Sequence, residues 1–167
     1  MLTLVRTLYA YTAWANAQVL DTTAELTQEQ LLTNDGANES VRDTLVHIVA
    51  GQWLWLERWL GRSPNRLWDP VLFPDVAAIR TRWVEVEAAS QDFLAGLTES
   101  ALMRELVYVN MKGDPLTYPL WQQMLHQANH ATQHRSEVAV ILTRFGHSPG
   151  GLDLLVYADE QAGTAPG

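Results

Sequence analysis

The stretch LHQANHATQHRSE, residues 125–137, carries three histidines at intervals of four residues. Residues four apart lie on nearly the same face of an α-helix, so neighbouring imidazoles there can point at one ion. Each step of four drifts by roughly 40° around a straight helix, so His126 and His134 diverge by about 80°. We therefore expect only one adjacent pair, His126 with His130 or His130 with His134, to reach a given ion.

A further ligand must come from another helix, and His47 is the obvious candidate. This histidine lies mid-helix in the segment TLVHIVAG, residues 44–51. Gly51 follows one turn later, where the missing side chain leaves room beside the His47 ring. Imidazole nitrogen is a good ligand for Zn²⁺, Ni²⁺ and Fe²⁺. From the spacing alone, a metal site and a set of packed histidines are both open interpretations.

Four long segments of the chain show the periodicity of amphipathic helices. They cover approximately residues 2–21, 40–61, 75–96 and 119–145. Ser40 and Asp75 are suitable N-caps, and Gly146 is a suitable residue to close a helix. The loop over residues 62–74 is long enough to cross the molecule. The predicted architecture is therefore an all-α four-helix bundle with a long crossover loop.

Shorter elements are predicted between these helices. Thr27-Gln-Glu-Gln30 has the form of a capping box before a short helical turn, and Gly36 is the expected turn residue of the next loop. Residues 106–109 and 116–118 flank Lys112-Gly113-Asp114. This pattern predicts a small β-hairpin before the last long helix.

Length and composition fit one folded domain. The chain has 167 residues, of which 47% are hydrophobic and 18% charged. This composition is sufficient for a packed core and excludes global disorder. We expect one bundle domain over residues 1–160, ending in a short helix at about 152–158, and a polar tail over residues 161–167.

The charge balance excludes several classes of partner. Eleven basic residues against nineteen acidic ones give a net charge of −8, so neither nucleic acid nor an anionic membrane is an expected partner. The absence of cysteine excludes disulfides, thiolate metal sites and a catalytic thiol. No apolar run is long enough for a membrane span, and no basic residue precedes the first apolar stretch, as it would in a signal peptide. A cytoplasmic location is the resulting expectation.

Missing motifs exclude several kinds of catalytic site. The sequence contains neither His-Glu-x-x-His of zinc proteases nor Glu-x-x-His of di-iron bundles. It also lacks the glycine-rich motifs that bind dinucleotides and nucleoside triphosphates. The letters Gly-x-Ser-x-Gly do occur, in Gly146-His-Ser148-Pro-Gly150, but they follow the last long predicted helix and do not join a strand to a helix, so covalent catalysis by serine has no support.

Four passages of the sequence follow the pattern of a known family. They are Tyr11-Thr-Ala-Trp14-Ala-Asn16, Ser40-Val-Arg-Asp-Thr-Leu-Val-His47-Ile, Asn129-His130-Ala-Thr-Gln-His134-Arg135 and Gly146-His-Ser-Pro149-Gly-Gly-Leu-Asp153-Leu-Leu. In this order they span nearly the whole chain, and His-x-x-x-His-Arg is the most specific of them. By these passages the sequence resembles the DinB family (DinB/YfiT-like proteins).

The resemblance implies an up-down-down-up four-helix bundle, commonly a homodimer, that binds a divalent metal through three histidines. Carried over position by position, the implied ligands are His47, His130 and His134. His126 then becomes a residue of the pocket or a support for a ligand. The family pattern has Gly-Gln after the arginine, where this chain has Ser136-Glu137, so Glu137 is a candidate carboxylate near the site.

Three more polar residues are candidates for the surroundings of the site. Asn16 and Asn129 could accept hydrogen bonds from imidazole N–H groups, or could cap and bridge helices instead. Arg135 projects about 100° around the helix from His134. We expect it to form a salt bridge or an interface contact, with anion binding in the pocket as the other interpretation.

The resemblance also implies a metal-dependent enzyme that acts on a small molecule, as a thiol S-transferase or a hydrolase. The candidate metals are Zn, Ni, Fe and Mn, and a low-molecular-weight thiol is a candidate cofactor. Three imidazoles leave coordination positions open, as catalytic zinc sites do. The alternatives are a non-catalytic protein that binds a metal or small ligand, and a structural dimer in which the histidines only pack.

Overall fold

The architecture comes from a computed structural model that describes residues 1–34 and 39–163, so the predicted turn residue Gly36 lies outside the described residues. Long helices alternate with short elements along the chain. The elements are α1 (Leu2–Thr23), α2 (Gln28–Leu32), α3 (Val41–Trp59), a 3-10 turn (Pro70–Leu72), α4 (Val76–Ala95), α5 (Glu99–Met103), β1 (Glu105–Val109), β2 (Pro115–Pro119), α6 (Leu120–Arg144) and α7 (Leu154–Ala162).

The four long helices agree with the predicted segments to within two residues at each end, and the hairpin lies where it is predicted. The last helix differs, because α7 ends at Ala162 and so extends into residues 161–167. Residues 164–167 are outside the described part of the chain. None of the helices in that described part combines the length and apolar character needed to cross a membrane.

Contacts between α1 and α6 show that these helices run in the same direction. Near the start of α1, the Tyr9 hydroxyl donates to the Met124 carbonyl over 3.2 Å. Further along both helices, Arg135 Nη1 donates to Asn16 Oδ1 over 3.0 Å. Since residue numbers rise together on the two helices, α1 and α6 are parallel.

The other two long helices run the opposite way. Gln52 of α3 donates to Ser90 of α4 over 3.1 Å, and Trp59 stacks on Phe93 further along both helices, so α3 and α4 are parallel. Contacts across α1 and α4 run in opposite order, from Arg6 with the Leu94 carbonyl to Asp21 with Arg80. The order is up-down-down-up, which confirms the predicted topology.

A parallel α3 and α4 require a connection that returns along the bundle. Residues 60–75 make this return and are packed against the helices by aromatic side chains. Trp68 lies 4.9 Å from Trp53 of α3, centroid to centroid, and the Arg82 guanidinium of α4 lies 5.2 Å over the Trp68 ring. Phe73 is buried in the core at the end of this loop. The crossover loop is therefore an ordered layer on the outside of α3 and α4.

The core consists of two apolar clusters, one towards each end of the bundle. On α6, Ala128 belongs to one cluster and Ala131 to the other. On α3, Val49 belongs to the same cluster as Ala131, and Trp55 belongs to the same cluster as Ala128. The middle level of the bundle is thus the boundary between the clusters, and buried polar side chains such as Gln52 lie there.

Side-chain caps fix where the helices begin. The Ser40 hydroxyl accepts from the Asp43 backbone N–H over 3.1 Å at the start of α3. Thr27 and Gln30 form the predicted capping box at the start of α2. Asp75 accepts from the Ala78 N–H at the start of α4. These caps satisfy backbone donors that have no partner within the helix.

Replacing Ser40 by alanine is expected to lower the free energy of unfolding by about 1 kcal/mol, because a buried N-cap acceptor is lost. Urea unfolding followed by circular dichroism measures the change. Ser136→Ala is the matched control, since Ser136 is exposed in the middle of α6 and alanine is favourable at such a position. Equal midpoints for the two variants would contradict a capping role for Ser40.

Candidate metal centre

Three histidine side chains converge where α3 packs against α6. The Nε2 atom of His130 lies 3.3 Å from Nε2 of His47 and 3.2 Å from Nε2 of His134. One nitrogen from each ring lies within 4.8 Å of the other two. The spacing of four residues brings His130 and His134 onto one face of α6. Packing against α3 then brings His47 to the same point.

The separations of these nitrogens suit a single ion. Zn²⁺ binds imidazole nitrogen at about 2.0–2.1 Å, and tetrahedral geometry then places two ligand atoms about 3.3–3.4 Å apart. The separations of 3.2 and 3.3 Å match that spacing. Two imidazole nitrogens this close also need a proton or a cation between them, because their lone pairs would otherwise face each other. The donor set therefore fits a divalent metal.

A carboxylate orients one ring of the cluster. Nδ1 of His134 lies 2.7 Å from Oε2 of Glu137, one turn along α6. Because an ionised carboxylate only accepts, Nδ1 carries the proton and Nε2 presents its lone pair to the cluster. Hydrogen bonds of this kind fix the tautomer and the direction of metal-binding histidines. The structure thus puts Glu137 next to the histidine cluster.

Burial keeps two of the rings uncharged. Desolvation, together with the neighbouring rings of His134 and His47, lowers the pKa of His130 to about 4. Desolvation, reinforced by His134, also lowers the pKa of His47 from its ordinary value. Both rings are neutral near pH 7, which is the form in which imidazole binds metals.

The space next to Gly51 lies beside the His130 ring, not beside His47 as the sequence suggested. A Cβ atom at position 51 would lie 3.9 Å from Cε1 and from Nδ1 of His130. This is ordinary van der Waals contact, so alanine would fit and a longer side chain would displace the ring. The reason for the difference is that the side chain opposite Gly51 comes from α6, and helical periodicity on α3 cannot show it.

Comparison with known proteins assigns the family. The sequence pattern described as "DinB family" matches residues 1–166 of the chain. The chain belongs to the DinB family.

Two relatives illustrate what this DinB-family protein is similar to. Protein DinB of Bacillus subtilis (strain 168) is 25% identical over an alignment of 165 positions, which covers 90% of this chain and 91% of that protein. The structure of YfiT from Bacillus subtilis superposes with a TM-score of 0.66 at 16% sequence identity. The superposition covers 86% of this chain and 89% of the YfiT chain. YfiT is described as a probable metal-dependent hydrolase with an unusual four-helix bundle topology. At this identity the likeness to YfiT establishes a shared fold.

His126 lies outside the histidine cluster of this DinB-family protein. Its ring centroid is 6.1 Å from that of His130 and 5.2 Å from that of Trp55. The side chain faces a cleft that lies one turn of α6 from His130. Of the three histidines on α6, the pair His130 and His134 therefore meets His47, and His126 lines the neighbouring cleft.

The remaining candidates do not touch the imidazoles. Arg135 is buried, and its guanidinium donates to Asn16 Oδ1, Tyr11 Oη and Thr132 Oγ1 at 3.0–3.3 Å. The expected salt bridge or interface contact of Arg135 is therefore wrong, because α1 covers this flank of α6 and supplies neutral acceptors. Asn16 supports Arg135 rather than a histidine. Asn129 is exposed and makes no hydrogen bond to the three rings.

The aromatic cleft beside His126 was not predicted from the sequence. Trp55 of α3 and Tyr108 and Tyr118 of the hairpin contribute to its walls. The antiparallel register pairs Leu106 with Tyr118, so Tyr108 and Tyr118 are diagonal neighbours on one face of the hairpin. The alternating positions of the two tyrosines in the predicted strands were visible in the sequence. The packing of the hairpin against α3 could not be predicted, because it depends on contacts between residues more than fifty positions apart in the sequence.

Metal-free protein is expected to lose stability as the pH falls from 6.5 towards 4. In the unfolded chain His130 has a pKa near its ordinary value of 6.5, whereas in the fold its pKa is about 4. The unfolded state therefore binds more protons in this window, and stability that is present above pH 6.5 is lost through it. Urea unfolding in the presence of a chelator at several pH values measures the slope.

His130→Asn separates this contribution from the titration of carboxylates. The variant retains the carboxylates but lacks the His130 imidazole, so its stability should depend less steeply on pH over this window. The same slope for the variant and the parent protein would contradict the assignment to His130.

Proposed function

We propose that the protein is a metal-dependent enzyme in which His47, His130 and His134 hold one divalent ion and a small molecule reacts beside it. The observation that carries the proposal is that His130 Nε2 lies 3.2–3.3 Å from Nε2 of His134 on its own helix and of His47 on another. His130 Nε2 lies within hydrogen-bond distance of two other imidazole nitrogens, and neutral rings cannot satisfy every lone pair at such a point. A shared cation removes that cost.

The residues around such a site have different roles. The three imidazoles bind the ion and leave coordination positions open, and the Glu137 carboxylate keeps the His134 ring in the binding tautomer. A divalent ion held there would lower the pKa of a bound water or thiol and polarise a carbonyl group. Gly51 leaves space for the His130 ring to approach α3.

The nucleophile in this proposal is water or a low-molecular-weight thiol. A hydrolase uses water, and support for it comes from the fold shared with YfiT, a probable metal-dependent hydrolase. A thiol S-transferase would take its sulfur from a cofactor, since the chain has no cysteine. Imidazole ligands suit Zn, Ni and Fe better than Mn, which favours oxygen ligands.

Untagged protein is expected to bind about one equivalent of divalent metal per chain, since the cluster forms a single site. His130→Ala should abolish binding, and Glu137→Gln should weaken it by about 10- to 100-fold, because the support for the His134 ring is lost. Metal analysis after dialysis and competition with a chromogenic chelator measure both effects. Parallel assays with activated esters, and with thiols plus electrophiles, identify the reaction.

His126→Ala is the matched control, because it removes an imidazole from the same helix but outside the cluster. It should bind metal as the parent protein does. Parent protein that takes up no metal, or activity that persists in metal-free His130→Ala, would refute the proposal. Stoichiometric metal binding without turnover of either substrate set would instead favour the non-catalytic binding protein.

We also propose that the chain forms a homodimer, with the apolar surface on α1, α6 and α7 as its interface. Leu4 is 75% exposed there, and Leu154 is 46% exposed. With Met1 and Leu125 they line one exposed apolar surface. Contiguous exposed apolar surface of this kind is typical of protein interfaces. A two-fold dimer buries the same surface on both chains.

The double variant Leu4→Gln with Leu154→Gln is expected to weaken this dimer, because polar side chains would be buried at the interface. Sedimentation velocity over a concentration series measures the change in association. Leu72→Gln is the matched control, since Leu72 is 69% exposed in the crossover loop. A parent protein that sediments as a monomer at every concentration would exclude the dimer.

A further inference from the structure

A cleft of about 330 Å³ opens one turn of α6 away from His130. It lies between α3, the β1–β2 hairpin and α6. Among the residues that the structure describes, its lining consists of aromatic, amide and imidazole groups, without a carboxylate or an aliphatic side chain. The residues are Trp55, Tyr108, Tyr118, Gln122, Gln123 and His126.

The aromatic walls are held in fixed positions. Trp55 and Tyr108 meet edge to face at a centroid separation of 5.1 Å, and Tyr118 lies 6.5 Å from Tyr108. Gln123 of α6 is buried, and its Nε2 donates to the carbonyls of Leu106 and Tyr118, which fastens the hairpin to α6. The cleft therefore presents preformed ring faces, and such walls suit a flat aromatic group.

A buried cation lies against two of these walls. The Arg58 guanidinium is 4.6 Å from the centroid of Trp55 and 4.4 Å from that of Tyr108. Arg58 is only 7% exposed, and its Nε has no hydrogen-bond acceptor. The neighbouring carboxylate of Glu57 is engaged by Arg62 instead.

The charge of Arg58 is thus incompletely compensated. No ion pair joins it to a carboxylate within residues 1–34 and 39–163. Stacking on aromatic rings offsets part of the cost of burying a guanidinium, but an unpaired buried charge remains unfavourable. A negative charge in the adjacent cleft would lower this cost.

We propose that this cleft is the substrate subsite for a planar aromatic group that carries a negative charge, such as an aryl carboxylate. The ring would stack on Trp55, Tyr108 and Tyr118, and the charge would lie in the field of Arg58. The subsite rests on the proposed function, since it is the His126 ring, 6.1 Å from His130, that joins the cleft to the histidine cluster.

Three small probes separate the contributions of the ring and the charge. Benzoate has both, benzyl alcohol has only the ring, and cyclohexanecarboxylate has only the charge. In metal-free protein, where a carboxylate cannot bind an ion, benzoate should bind about tenfold more tightly than either of the other probes. NMR titration of the tryptophan indole N–H signals measures binding, with Trp55 assigned from Trp55→Phe.

Variants then test the walls and the cation separately. Tyr118→Leu should weaken benzoate and benzyl alcohol alike, by about two- to tenfold, because a stacking face is lost. Tyr157→Leu, outside the cleft, is its matched control. Arg58→Gln should abolish the preference for benzoate over benzyl alcohol, and Arg58→Lys should retain it.

Benzoate that binds no better than benzyl alcohol, or that leaves the Trp55 signal unshifted, would overturn the subsite. This comparison needs only the parent protein, so it decides the matter even where an Arg58 variant fails to fold. Metal binding is measured independently. Benzoate binding without metal uptake would refute the proposed function alone, and metal uptake without benzoate binding would refute the subsite alone.

Discussion

Antiparallel packing of α3 against α6 determines both the shape of the core and the position of the histidines. Helical repetition brings His130 and His134 together, but only the neighbouring helix can add His47 at 3.3 Å from His130. Gly51 is part of the same contact, because a side chain longer than alanine there would displace the His130 ring that lies between the two backbones. The cluster is therefore a property of one helix pair and not of a loop.

The flank of α6 that faces α1 has a different chemistry. Arg135 is buried against Tyr11 and Asn16 of α1, and burial lowers its pKa from the ordinary value. The Tyr11 hydroxyl in turn donates to the Leu152 carbonyl over 2.7 Å. One turn of α6 thus directs an imidazole into the histidine cluster and a guanidinium towards the segment before α7. The family signature His-x-x-x-His-Arg combines these two different tasks.

The sequence was sufficient for the helices because apolar periodicity and capping residues act locally. Ser40, Thr27 and Asp75 marked helix starts that the structure contains. The angular offset between successive histidines on α6 also predicted that only two of them can face one ion. The partners of Arg135 and Arg58 were not predictable in this way. They depend on which flank of a helix its neighbours cover, and that is settled only when all four helices pack.

The crossover loop divides the chain into two halves, and the histidine cluster draws on both. The half before the loop contributes His47, and the half after it contributes His130 and His134, so 83 residues of sequence separate His47 from His130. Neither half can form the cluster before it docks on the other. Convergence of the imidazoles therefore requires both halves to be docked, and an ion bound there would stabilise the docked arrangement.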